Sequence, residues 1–167
     1  MITYRKANVE DATSIAALHA LSWQDAYSAI LSEKFLTQEV ENNRLLVWQE
    51  RFKDSIDYRV LLAEKDKKLI GFVCLIPNHD EKWGALLDNI HVHPKLKGTG
   101  VGKKLFLDTL KTAQSLSTTT AMYLWVFDQN IAAIKFYENL GGKHMETIEE
   151  YVPGGGKARI RRYAWRS

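Results

Sequence analysis

A glycine-rich stretch in the middle of the chain places the strongest constraint on its fold. Residues 91–105 read HVHPKLKGTGVGKKL, with glycines at positions 98, 100 and 102. An apolar run leads into this stretch, and Pro94 ends any strand there because proline has no backbone N–H for a sheet. A helical pattern of apolar residues and lysines follows the glycines. The stretch therefore predicts a strand, a short basic loop and a helix that begins on glycines.

Such a helix start is suited to binding a bulky anion. The first N–H groups of a helix lack partners within it, and the helix dipole is positive at that end. Glycine lets an anion approach the backbone, and Lys97 and Lys103 add positive charge. The spacing excludes a P-loop, and Lys103 stands where the dinucleotide-binding pattern needs its third glycine. The stretch predicts a pyrophosphate site of another class.

Length and composition are those of a single globular domain over residues 1–167. No apolar run reaches the roughly 20 residues that a membrane span needs, and the N-terminus lacks the apolar region of a signal peptide. Cys74 is the only cysteine, which excludes a disulfide framework. The net charge of +3 suits an anionic cofactor but is too small to indicate nucleic acid. We expect a cytoplasmic protein, either a monomer or a homodimer, with neither nucleic acid nor a membrane as partner.

The rest of the chain alternates between strand and helix patterns. Strands are predicted at residues 2–6, 58–63, 69–76, 86–92, 122–127, 143–152 and 158–165. Helices are predicted after Asn8, at 32–54, from the glycines to about 117 and at 128–140, with a polar loop at 77–84. This order combines hairpins with two crossover helices, which predicts a mixed sheet with helices on its faces.

The glycine stretch also resembles a known cofactor motif. Lys97, Gly100 and Gly102 fill the pattern [Gln/Arg/Lys]-x-x-Gly-x-Gly directly after a strand and Pro94. This is similar to the acyl-CoA pyrophosphate loop of the GNAT superfamily of N-acetyltransferases, although the family usually has Gln or Arg where this chain has Lys97. The order of elements matches as well, over nearly the whole chain. The resemblance implies an α/β (α+β) fold: a mixed, mostly antiparallel sheet flanked by helices, with a central parallel strand pair splayed at the cofactor.

A second segment, LWVFDQNIAAIKFYENLGG at residues 124–142, resembles the family's other cofactor segment. Asn130, Ala132, Ala133, Phe136 and Tyr137 match its pattern, whereas a second glycine follows Gly141 where the family usually has Phe. Together the two segments imply acetyl-CoA as the cofactor. The residues implied to bind it are Ile90, His91, Val92, Lys97, Gly98, Thr99, Gly100, Val101, Gly102, Lys103, Asn130, Ala133 and Tyr137.

The resemblance further implies direct acetyl transfer, in a ternary complex, to a primary amine of a small molecule or peptide. Tyr137 matches a tyrosine near the thioester sulfur, and a phenol can protonate a departing thiolate. Asp88 is the predicted base because some members carry a carboxylate near this position, with His91 and water as the alternatives. A regular strand would place Asp88 on one face with Ile90, and Asn89 and His91 on the other.

Aromatic residues are the candidates for the amine pocket. Trp23, Tyr27 and Tyr151 are predicted to line it, where their rings can stack on a cation, unless they are core residues instead. No metal site is predicted, since His91 and His93 lack a nearby third ligand. The alternative function is a non-catalytic acyl-CoA-binding sensor or interaction module. Such a module would keep the glycine stretch and need neither Tyr137 nor a base.

Overall fold

A seven-stranded sheet organises the chain in the computed structural model, which describes residues 1–166. The strands are β1 (Ile2–Lys6), β2 (Arg59–Lys65), β3 (Lys68–Asp80), β4 (Gly84–Val92), β5 (Thr120–Phe127), β6 (Lys143–Tyr151) and β7 (Lys157–Arg166). The α-helices are α1 (Ala12–Ala26), α2 (Val40–Lys53), α3 (Val101–Leu116) and α4 (Ile131–Asn139). The sheet order is β1-β2-β3-β4-β5-β7-β6, and only β4 and β5 run parallel. The predicted fold class is confirmed.

Two helical segments begin at asparagine caps. Asn8 accepts the N–H of Glu10, while the Asp11 carboxylate accepts the N–H of Asn8, so the 3-10 turn Val9–Asp11 leads into α1. Asn130 accepts the N–H of Ala133 at 3.3 Å and caps α4. The helix predicted at 128–140 therefore begins only after this cap. None of the helices in residues 1–166 is both long and apolar enough to cross a membrane.

Two predicted segments differ from the observed structure. The polar loop predicted at 77–84 is mostly strand, because β3 continues to Asp80, which pairs with Gly84. The Asp80 carboxylate closes the hairpin by accepting the N–H groups of Lys82 and Trp83. The helix predicted at 32–54 is helical from residue 33 to 53, but Phe35–Glu39 form a π-helical turn in it before α2.

The two faces of the sheet have separate cores. On one face, Leu105 of α3 and Tyr137 of α4 belong to the same buried cluster as Leu87 of β4. On the other face, Trp48 of α2 packs with Phe72 of β3 and with residues of α1. Both cores are dominated by apolar side chains removed from water, the main favourable contribution to folding. The helices thereby cover both faces of the central strands.

Strands β4 and β5 pair only near their beginnings. Ala85 pairs with Met122 and Leu86 with Tyr123, and within the described residues no further pairs join the two strands. Beyond this point β4 remains paired with β3, and β5 remains paired with β7. Their facing edges are therefore free to offer main-chain groups to a ligand. The predicted splay of the parallel pair is confirmed.

Candidate active site

The splay between β4 and β5 opens a cavity of about 710 Å³. Residues 87–92 of β4 and 124–127 of β5 form its walls. This volume lies in the range of small-molecule sites, roughly 300–1,000 Å³. Most predicted site residues line the cavity: Trp23, Tyr27, Asp88, Ile90, His91, Val92, Lys97, Gly98, Gly100, Gly102, Lys103, Asn130, Ala133 and Tyr137.

One end of the cavity, here called the glycine end, consists of residues 97–103 and the start of α4. Gly98 and Gly100 have φ angles of +77° and +91°, which favour glycine over residues with a side chain. A Cβ atom at either position would meet nothing within 4 Å, so the space above this backbone is open. The N–H groups of residues 100–103 begin α3 and have no acceptor inside the helix. These features fit an anion as large as pyrophosphate.

Side chains anchor the loop of the glycine end. The Thr99 hydroxyl donates to the carbonyl of Leu96 at 2.6 Å, and Val101 is buried in the core beneath α3. Neither Thr99 nor Val101 is among the residues that line the cavity. The Lys97 ammonium donates to Asp25 of α1 at 2.6 Å, and both side chains are exposed. Exposed ion pairs contribute little to stability, so this contact mainly positions Lys97 at the cavity mouth.

Tyr137 lies on α4 and lines the cavity. Its ring packs against Phe106 and Trp165, with both centroid distances at 6.1 Å. Its hydroxyl has no hydrogen-bond partner within residues 1–166. Burial, with a smaller effect of Tyr27, raises the pKa of Tyr137 above its ordinary value. The phenol therefore holds its proton at neutral pH and is available as a donor.

A β-bulge in β4 determines the position of Asp88. Cys74 pairs with Asn89, but the next residue of β3, Leu75, pairs with Leu87. Asp88 is thus the extra residue of the bulge, and the alternation of side chains changes phase there. A regular strand pattern does not indicate this irregularity.

Arg51 of α2 binds both polar residues of the bulge. Its guanidinium donates to Asp88 at 2.5 Å and to Asn89 at 2.7 Å, and it lies over the ring of Trp48. Asp88 and Asn89 therefore face α2 together, whereas Ile90 packs in the core on the α3 side. The prediction that Asp88 shares a face with Ile90 and opposes Asn89 is wrong, because the bulge reverses the alternation.

His91 faces α1 rather than the core of α3. Its Nδ1 lies 2.7 Å from the Ser22 hydroxyl, and its ring is 4.6 Å from that of His19. Burial lowers the pKa of His91 to about 3, and the positive charges of Lys97 and Arg44 act in the same direction. The imidazole is therefore neutral at physiological pH and a weak proton acceptor.

A second part of the cavity lining, here called the aromatic end, consists of Trp23 and Tyr27 of α1 and Trp125 and Phe127 of β5. The Trp23 and Tyr27 centroids are 5.8 Å apart, and the Tyr27 and Phe127 rings meet edge to face at 4.9 Å. Sequence reasoning missed Trp125 and Phe127. Their alternation with the buried residues Leu124 and Val126 is the signal that places both on one face of β5.

Tyr151 is not among the residues that line the cavity. It ends β6 with 73% of its surface exposed, and the Lys157 ammonium lies 4.7 Å from its ring centroid. The next residue, Val152, packs instead against the cluster that includes Trp23 and Tyr27. The turn of the β6–β7 hairpin thus reaches the aromatic end through Val152.

Residues 17–142 match the model of the acetyltransferase (GNAT) family, which covers most of the chain. The chain belongs to the GNAT acetyltransferase family. The predicted family and enzyme class are therefore confirmed.

Individual GNAT proteins agree with this assignment. The spermidine N(1)-acetyltransferase of Thermoplasma acidophilum is 28% identical over 152 residues, covering 87% of this chain and 91% of that protein. The PaiA N-acetyltransferase of the same organism, solved with coenzyme A, superposes with a TM-score of 0.71 at 25% identity, over 99% of each chain. YncA of Salmonella typhimurium, solved with acetyl-CoA, has a TM-score of 0.69 at 20% identity, over 99% of this chain and 93% of that chain. The last likeness concerns the fold alone.

Proposed function

We propose that this GNAT protein transfers the acetyl group of acetyl-CoA to a primary amine by direct attack in a ternary complex. One observation carries the proposal: a single cavity, opened by the splay of β4 and β5, brings together the glycine end, Tyr137 and Asp88. The PaiA N-acetyltransferase solved with coenzyme A supports the donor. The Thermoplasma relative, a spermidine N(1)-acetyltransferase, supports an amine as the acceptor.

The cavity residues fit this donor. Acetyl-CoA supplies an activated acetyl thioester when bound. The N–H groups of residues 100–103, with Lys97 and Lys103, would hold its pyrophosphate. The free edge of β4 would offer main-chain groups to the amides of the pantetheine arm. Asn130 and Ala133 would border it at the start of α4.

Asp88 is the proposed base. The amine must lose its proton before it can attack; Asp88 lines the cavity, and Arg51 binds its carboxylate at 2.5 Å. It can accept this proton directly or through a water molecule. The lowered pKa of His91 makes that residue a weak base at neutral pH.

Tyr137 is the proposed acid, and the transfer needs no covalent enzyme intermediate. The protonated phenol of Tyr137 can donate to the thiolate as the C–S bond breaks. Cys74 is fully buried and is not among the cavity-lining residues. Burial also raises the pKa of the Cys74 thiol to about 12, so almost none of the reactive thiolate exists at neutral pH. These features favour direct attack by the amine.

The proposal is tested with the purified protein, acetyl-CoA and a panel of primary amines. We expect calorimetry to show acetyl-CoA binding, and we expect thiol release that depends on the amine, with the N-acetyl product identified by mass spectrometry. Binding accompanied only by slow, amine-independent hydrolysis would favour the acyl-CoA-binding module. Absence of binding at millimolar acetyl-CoA would refute the assignment of the glycine end.

A further inference from the structure

The aromatic end offers flat apolar surface to an acceptor. Trp23, Tyr27 and Phe127 form a continuous row of rings, and Trp125 stands two residues before Phe127 on the same strand. Aromatic rings gain stacking energy from other flat groups in addition to the burial of apolar area. Such a wall can bind either a planar apolar body or a cation, and the neighbouring charges decide between the two.

The protein's own arginines already lie over the two tryptophans. The Arg44 guanidinium lies over Trp23, with its Cζ 4.2 Å from the ring centroid. Arg162 lies over Trp125 at 4.4 Å and over Trp83 at 4.5 Å. Each of these contacts uses the cation–π attraction of the ring. A cationic acceptor would therefore meet rings whose attraction for a positive charge is partly satisfied.

Carboxylates in this region are few and paired. Asp88 is the only carboxylate lining the cavity within residues 1–166, and Arg51 binds it. Asp25 and Asp128 lie close in sequence to residues of the aromatic end. They pair with Lys97 and Arg161 respectively. Within residues 1–166, the cavity lining can thus offer an acceptor one negative charge, that of Asp88.

Arg44 adds a positive charge behind the wall, offset only in part by the negative charge of Asp88. Only 8% of its surface is exposed, and its guanidinium donates to the Asn43 side chain. No carboxylate of residues 1–166 pairs with Arg44. A polyamine carries several charges that need carboxylate partners, and like charges at a binding site select against it.

We propose that the acceptor is a monoamine with a flat aromatic body, an arylalkylamine, rather than a polyamine. This inference rests on the proposed function and names its substrate class. The ring of the acceptor lies against the aromatic end, and its single ammonium group faces Asp88. An N–C bond forms to the acetyl carbon as the C–S bond breaks. The nitrogen releases two protons, of which one ends on the coenzyme A sulfur and one in solvent.

Three amines separate the possibilities at saturating acetyl-CoA. Phenethylamine has one charge and a ring, hexylamine has one charge and no ring, and spermidine has several charges. We expect kcat/KM for phenethylamine to exceed that for spermidine by about 10-fold or more, and that for hexylamine by about 3-fold or more. Equal or better use of spermidine, or equal use of hexylamine, would overturn the inference alone. Transfer to no amine while acetyl-CoA binds would overturn the proposed function, and the inference with it.

Trp125→Leu tests the aromatic end directly. Leucine keeps apolar character but removes the ring, so we expect KM for phenethylamine to rise about 10-fold while KM for hexylamine changes less than about 2-fold. Trp23→Leu provides the same test from α1 if the first variant does not fold. Tyr4→Leu is the matched control, because Tyr4 lies on β1 at the far edge of the sheet. Equal effects on both amines would show that the rings do not select the acceptor.

Discussion

The glycine end and the aromatic end are built from different parts of the chain. The glycine end is mostly backbone: free N–H groups and glycines with positive φ within one short segment. The aromatic end is built from side chains of α1 and β5, with Arg44 and Arg162 stacked on its tryptophans. Backbone groups are common to all residues, whereas side chains set shape and charge individually. We therefore expect changes in backbone access to affect donor binding, and side-chain changes at the aromatic end to affect the acceptor and stability.

The largest effect is expected at Asp88, which lines the same cavity as both ends. Asp88→Asn keeps the shape but removes the proton acceptor, so kcat/KM should fall by about 10³-fold, the middle of the range for a lost general base. Calorimetry should show acetyl-CoA affinity unchanged within about 2-fold, because the donor is held by backbone groups. Asp108→Asn, on the exposed face of α3 beside Lys104, is the matched control. Full activity in the Asp88 variant would leave water as the base.

Tyr137→Phe should slow the chemical step while leaving acetyl-CoA binding nearly unchanged. The change removes one hydroxyl and little volume, so acetyl-CoA affinity should stay nearly constant. The single-turnover rate should fall on the order of 10²-fold, because the departing thiolate loses its proton donor. Rapid-quench measurement of one turnover is required, since slow product release would hide the loss in kcat. An unchanged rate would make Tyr137 a packing residue.

His91 should make the stability of the folded protein fall as the pH falls below neutrality. Its imidazole binds a proton near pH 6.5 when unfolded but only near pH 3 when folded, so its contribution to stability is present above pH 6.5 and is lost as pH falls. From pH 7 to pH 5, the free energy of unfolding should fall by about 2 kcal/mol through this group, roughly 30-fold in the unfolding constant.

Urea titrations of the wild type and His91→Asn at pH 7 and pH 5 measure this contribution. The variant should lose less stability between the two pH values than the wild type. His19, whose pKa burial also lowers, acts in the same direction and remains in both proteins. His144→Asn, on the exposed strand β6, should retain the full loss. Equal losses in all three proteins would exclude His91 as the source.

Gly102→Val tests whether backbone access controls donor binding. Gly102 has no positive φ, and a Cβ there would lie 3.4 Å from Val92 and 3.9 Å from Phe136, which are ordinary contacts. The variant should fold, but its branched side chain would stand beside the first N–H groups of α3. We expect acetyl-CoA affinity to weaken about 10-fold by calorimetry, with a smaller loss for Gly102→Ala. Normal binding by a folded valine variant would contradict the assignment of this end.

Lys97→Ala should have the smallest effect. Its ammonium is exposed and paired with Asp25, and most of the donor's phosphate contacts are expected to come from N–H groups. We expect acetyl-CoA affinity to fall by about 3-fold at most, and less at high salt because screening weakens exposed charges. Lys104→Ala, outside the cavity lining, is the control. A loss above 10-fold would show that side-chain charge, rather than backbone, dominates this end.

The sequence by itself determined the glycine end and the order of the elements. Gly98, Gly100 and Gly102 stand in one short segment, and their chemistry depends on neighbours in the chain. The cap at Asn130 is likewise a contact between residues three apart. Local requirements of this kind leave a direct pattern in the sequence, because a positive φ or a free helix start restricts which residues can be used.

Only the tertiary structure decided what surrounds Asp88 and the aromatic rings. The bulge that turns Asp88 toward α2 depends on the register between β3 and β4. Its partner Arg51 is 37 residues away in sequence, and Val152 rather than Tyr151 packs against the cluster that includes Trp23 and Tyr27. A one-residue change in register reverses which face a side chain occupies, and register is set by packing across the whole sheet. No local pattern contains that information, so the contacts around Asp88 became visible only in the folded chain.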